Sequence, residues 1–137
     1  MKQNKIIWVV LEVIVLAIIL LLGFTVLNTE YLFAWLAHNW AFYMLLGFIA
    51  LSFLLLNKQY VSLCMTAGII TGIFIGNYLG RFIKGVNVSK IVEDMNTEEI
   101  YRLRHNPGFE IWIGIILIFI VIGSIIQITI SKKHVNS

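Results

Sequence analysis

Hydrophobic residues in this chain gather in long unbroken runs, not in the two-residue or three-to-four-residue periods of strands and helices that keep one face in water. Four such runs, residues 6–27, 40–56, 61–82 and 110–130, approach or reach the ~20 residues a helix needs to cross hydrocarbon. Lipid offers no partner to an open peptide group, so each run is expected to be helical. The predicted fold class is all-α: a polytopic membrane protein, a four-transmembrane-helix bundle forming a single membrane domain over 1–137. The second run has an earlier apolar stretch from Tyr31 to Ala37, which His38 and Asn39 interrupt. Asn57, Lys58, Gln59 and Tyr60 leave room only for a tight turn, which makes the second and third spans antiparallel neighbours.

Between the third and fourth runs lies a polar loop, residues 83–109. Asn96 or Thr97 followed by Glu98 and Glu99 has the form of a helix start, since acidic side chains suit the first turn. Asn106, Pro107 and Gly108 stop it. The spacing predicts a short amphipathic helix lying on the membrane surface or on the ends of the four spans, with docking of a partner through Ile100, Tyr101, Leu103 and Arg104 as the functional alternative.

Gly68, Gly72, Gly76 and Gly80 recur at every fourth position of the third span and so lie on one slowly drifting stripe, a glycine zipper. Small residues let two helix backbones approach closely where water gives no driving force for association. The stripe is a helix-packing or partner interface, facing another helix of this chain, a second protein or another copy.

Polar groups at membrane depth must find partners or perform a task. Glu12 is the only carboxylate well inside a span. Alternating helix directions bring the depth of Glu12 near that of Ser52, Ser62, Thr66, Ser124 and Gln127, so an intramembrane polar cluster of Glu12, Gln127, Ser124 and Thr66 is expected. Asn77 and Arg81, at the other end of the third span, are candidates for lining a path or meeting a neighbour. Trp8, Tyr31, Trp35, Trp40, Tyr43 and Trp112 sit near span ends, where aromatic belts anchor helices at the interface.

Composition narrows the class. With 60% hydrophobic and 12% charged residues, the chain is too apolar for an ordinary soluble domain. The net charge of +3 comes from Lys and Arg at termini and loops, so nucleic acid is not an expected partner. With a cytoplasmic N-terminus, Lys2, Lys5, Lys58, Lys132 and Lys133 lie inside and Arg81, Lys84, Lys90, Arg102 and Arg104 outside, a balanced count. The flanks of the first span favour both termini inside. That span is too long for a signal-peptide core and ends without an Ala-x-Ala-like site, so it reads as a permanent anchor. The Ile-rich, Ala-poor composition suits a bacterial cell membrane.

Catalytic chemistry is hard to find. The lone Cys64 excludes an intrachain disulfide, and HExxH, Gly-x-Ser-x-Gly and phosphate-binding glycine loops are missing from the sequence. His38, His105 and His134 lack metal-ligand spacing, although His38 and His105 fall on one side with Glu30 and Glu110. No enzymatic activity, metal or cofactor is expected. The leading expectation is an accessory, regulatory or immunity-type subunit that binds another membrane protein. A homo-oligomeric channel, holin-like pore or small transporter is the alternative.

Overall fold

The computed structural model describes residues 2–136, and side chains from Asn4 onward; the Lys2 side chain, one of the flank charges above, lies outside them. All regular structure among the described residues is helical: α1 (Lys2–Phe24), α2 (Tyr31–His38), α3 (Trp40–Leu55), α4 (Gln59–Val88), α5 (Thr97–Arg104) and α6 (Gly108–Val135). Three stretches, Asn4–Phe24, Gln59–Val88 and Gly108–Val135, are long and apolar enough to cross a membrane, as in a membrane protein. Their large apolar side chains point outward in numbers that only hydrocarbon tolerates: Ile6, Leu21, Phe82, Leu117, Ile118 and Ile125 are each more than half exposed.

The second apolar run is not one straight helix. α2 and α3 are bent by 87° at Asn39, where the His38-Asn39 interruption lies. Asn39 closes one helix and opens the next. Its backbone N–H and its Nδ2 both donate to Trp35 O at 2.9 Å, and its own carbonyl accepts from Phe42 N at 3.0 Å. The 16 residues of α3 are ~24 Å long at ~1.5 Å each, shorter than the ~30 Å hydrocarbon core.

The turn into α4 is a Schellman closure. Lys58 N donates to Phe53 O at 2.8 Å and Asn57 N to Leu54 O at 3.1 Å, with Asn57 at φ 64°, the left-handed region that Asn tolerates better than most residues. At its far end α4 runs six residues past the expected limit, to Val88, since no proline intervenes and Gly85 is accommodated within the helix. α5 forms where the capping pattern placed it, with Asn96 Oδ1 accepting from Glu99 N at 2.8 Å.

α4 is the centre of the fold. Its glycine side meets α6 along much of its length, while α1, α2 and α3 cover other sides, and α1 and α6 do not approach one another. Each outer helix buries a narrow stripe: Glu12, Leu16, Ile19 and Gly23 on α1, and Tyr43, Leu46, Ala50 and Leu54 on α3. The core runs from these through Ile69 and Ile73 of α4 to Trp112 and Ile116 of α6.

Candidate functional site

The glycine stripe faces α6 of the same chain. A Cβ added at Gly68 would stand 2.8 Å from Phe119 Cβ, and one at Gly72 2.9 Å from Trp112 Cδ1. One at Gly76 would stand 2.6 Å from Gly108 O, and one at Gly80 2.7 Å from Gly108 Cα. α6 reciprocates, since a Cβ at Gly108 would meet Gly76 O at 2.8 Å and one at Gly123 would meet Tyr60 O at 2.9 Å. The two backbones are therefore as close as backbones come, and a foreign helix has no access to this stripe. Gly108 was read from sequence only as part of a helix stop and Gly123 not at all, because two isolated glycines fifteen residues apart carry no periodic signal for packing.

Glu12, 3% exposed, is held by α4 alone. Ser62 Oγ lies 2.9 and 2.8 Å from its two carboxyl oxygens, and Thr66 Oγ1 donates to Oε2 at 3.2 Å. Ser62 and Thr66 stand one turn apart on the same α4 face, which is the spacing needed to grip one carboxylate. Gln127 and Ser124 do not join them. Gln127 Oε1 accepts from Tyr60 N at 3.1 Å, and Ser124 Oγ returns to Ile120 O at 2.8 Å. The expected four-residue cluster is thus corrected to a Glu12–Ser62–Thr66 contact and a separate α4–α6 contact. The physical reason is that α4 stands between α1 and α6, so equal depth does not bring Glu12 to Gln127. Ser52 likewise bonds its own helix, to Phe48 O at 2.7 Å.

Asn77 and Arg81 organise the opposite end. Asn77 Oδ1 accepts from Leu32 N at 3.0 Å, one of the unpaired amides of the first turn of α2, and its Nδ2 donates to Glu30 Oε2 at 2.8 Å. Arg81 also binds Glu30 Oε2. Glu30 makes no side-chain cap of its own for α2, so Asn77 caps that helix from across the bundle. Glu30 was missed as part of this group because it sits in a connection, 47 residues away from Asn77 in sequence.

Of the aromatic residues expected at the interface, Trp112 and Tyr43 are buried and Trp35 is half-buried against the core. Trp112 is fully buried, with its indole Nε1 donating to Ile69 O at 3.0 Å. Tyr43 is buried with its hydroxyl donating to Leu16 O at 2.7 Å. Trp35 packs in a cluster with Phe42, Phe109 and Trp112, ring centroids 4.7 to 6.3 Å from it. The amphipathic ring that suits a lipid headgroup suits a helix crossing equally well once a carbonyl accepts its N–H or O–H. Tyr31 and Trp40 are exposed.

No group of three or more His, Cys, Asp or Glu placed to hold a metal ion exists among the described residues. His105 Nε2 lies 2.8 Å from Glu110 Oε1, while His38 Nδ1 lies 2.9 Å from Ala34 O, so the two histidines serve separate contacts. Every fully buried side-chain nitrogen or oxygen among the described residues has a partner within the chain.

α5 is a different kind of surface. Asn106, 8% exposed, closes the local turn into α6 by accepting from Gly108 N at 2.9 Å, and α5 is held by packing on α4. Yet none of its residues is buried, and Tyr101 is 77% exposed. Ile100 and Leu103 are half-buried, while Tyr101, Arg102 and Arg104 face outward. Comparison with protein-family models, with curated proteins and with solved structures finds no match to this chain.

Proposed function

We propose that the chain is a non-enzymatic accessory, regulatory or immunity-type subunit of a bacterial cell membrane, which crosses the bilayer four times and binds another membrane protein. The fourth crossing is α3, helped by the turn at its end, with α2 lying across the end of the bundle. Both termini are cytoplasmic in this reading, which places α5 outside.

The observation that carries the proposal is the combination at α5: a capped, anchored helix with no buried residue of its own and an almost bare Tyr101. A linker between two spans needs no such order, and tyrosine and arginine are the residue types that dominate binding energy at interfaces. The partner surface is therefore Tyr101, Arg102 and Arg104, and not the glycine stripe, which α6 occupies. Glu12 and Asn77, the buried polar groups inside the spans with the longest reach, each join two helices. The pore reading drew on the glycines of the third span and on Glu12; in this chain the glycines pack against α6 and Glu12 is bonded to Ser62 and Thr66.

The test is purification in mild detergent from the native host, comparing the wild-type chain with Tyr101→Ala combined with Arg104→Glu. The proposal expects one larger membrane protein in stoichiometric amount with the wild type and its loss in the variant, at unchanged abundance and monodispersity of the subunit. A ring of identical chains, or a co-purifying protein indifferent to the variant, would reject it.

A further inference from the structure

The balanced count of Lys and Arg at the two ends of the bundle conceals an unbalanced charge. Six of the seven Asp and Glu side chains, Glu30, Glu93, Asp94, Glu98, Glu99 and Glu110, belong to the α5 end, and the seventh, Glu12, is buried against Ser62 and Thr66. The opposite end carries Lys5, Lys58, Lys132 and Lys133 and has no Asp or Glu. Lys5 is tied in place by neutral acceptors only, its Nζ 2.6 Å from Asn57 Oδ1 and 3.4 Å from Leu55 O. Its positive charge is thus fixed where α1 meets the end of α3, without a counter-ion among the described residues, and Lys58, next in sequence to Asn57, is exposed.

Between α1 and α3 lies a groove of about 210 Å³, lined by Val13, Ala17, Leu20, Met44, Gly47 and Leu51 among others, and almost wholly apolar. Gly47 opens its floor, where an added Cβ would touch only Leu16 Cδ1, at 3.4 Å. On α1 the lining runs from Val13 to Leu20, eight to fifteen residues of helix from Lys5 or ~12 to ~22 Å at ~1.5 Å each, so the near part of the groove lies within the ~15 Å of one leaflet's hydrocarbon. A cation at the end of the bundle and an apolar slot within an acyl chain's reach below it ask for two chemistries in one molecule.

We infer that the α1–α3 groove binds one anionic phospholipid, with an acyl chain in the slot and its phosphate on Lys5 and Lys58. Charge decides among occupants. A zwitterionic phospholipid fills the slot but brings its own cation to the lysines, and a free phosphate satisfies the lysines but leaves the slot empty. The inference is independent of the partner proposed at α5, which lies at the other end of the bundle.

Native mass spectrometry of the full chain in mild detergent, titrated with dioleoyl phosphatidylglycerol or dioleoyl phosphatidylcholine, tests it. The expected result is a single phosphatidylglycerol adduct that saturates first and binds about tenfold more tightly than phosphatidylcholine, in keeping with two lysines near an anionic headgroup. Lys5→Gln combined with Lys58→Gln should bring phosphatidylglycerol to the phosphatidylcholine level, and Gly47→Leu should weaken both lipids alike. Millimolar inorganic phosphate should not displace the adduct. If Gly47→Leu fails to give monodisperse protein, Met44→Trp narrows the same groove from an exposed position. Equal binding of the two lipids, a preference that survives the double lysine variant, a ladder of adducts indifferent to filling the groove, or displacement by phosphate would each overturn the inference.

Discussion

Replacing Gly76 with alanine should destabilise the bundle, while the same replacement at Gly114 should stabilise it. Both glycines sit inside long helices, α4 and α6, so alanine gains about 1 kcal/mol of helix propensity at either. What differs is the space. A Cβ at Gly114 has nothing within 4 Å, whereas one at Gly76 would stand 2.6 Å from Gly108 O and 3.2 Å from Trp112 N. Both obstacles are backbone atoms, so no rotamer change relieves the overlap and the two helices must separate by several tenths of an ångström. Overpacking of this kind costs roughly 1–3 kcal/mol, and backbone against backbone belongs at the upper end. The net expectation is a loss of about 1–2 kcal/mol for Gly76→Ala against a gain of up to about 1 kcal/mol for Gly114→Ala. Thermal unfolding of the purified chain in one detergent, read by loss of the monodisperse peak after heating, gives the order of the three proteins. Stabilisation by Gly76→Ala equal to that by Gly114→Ala would refute the close approach of α4 and α6.

Removing both hydroxyls from Glu12, with Ser62→Ala and Thr66→Val together, should cost about 2–3 kcal/mol, and almost nothing in a Glu12→Leu background. The same unfolding assay run as a double-mutant cycle measures the difference, and equal costs in the two backgrounds would show that the contact is not made. Asn77→Leu should cost roughly 1–3 kcal/mol by stranding the Leu32 amide, with hydrogen exchange accelerated first at the start of α2. Unaltered exchange there would remove Asn77 as the cap of that helix. Asn96→Ala should cost about 1 kcal/mol locally, seen as faster exchange of the Glu99 amide with no change in global unfolding.

Sequence revealed the helices because hydrocarbon imposes a strong rule, and it revealed α5 because a cap has a local signature in Asn96, Glu98 and Glu99. The periodic glycines of α4 announced a close contact, yet their counterparts Gly108 and Gly123 gave no packing signal. The His38-Asn39 interruption was visible, but no local pattern carries the 87° angle between α2 and α3, and the far end of α2 is held by Asn77, 45 residues away from Leu32. Span-end position could not separate Trp112 and Tyr43, which bury their polar tips on carbonyls, from Trp40, which faces outward. Pairing Glu12 with Gln127 failed for a related reason: depth along a helix can be read from the chain, whereas the order of helices around α4 depends on packing.

Single-cysteine labelling in sealed membranes addresses the arrangement most directly, after Cys64 is replaced by alanine. Cysteines placed at Lys5, Lys58 and Lys133 should react with an impermeant maleimide from one side only, and cysteines at Glu98 and Arg104 from the other side only. Reaction of positions 58 and 98 from the same face of the membrane would contradict it.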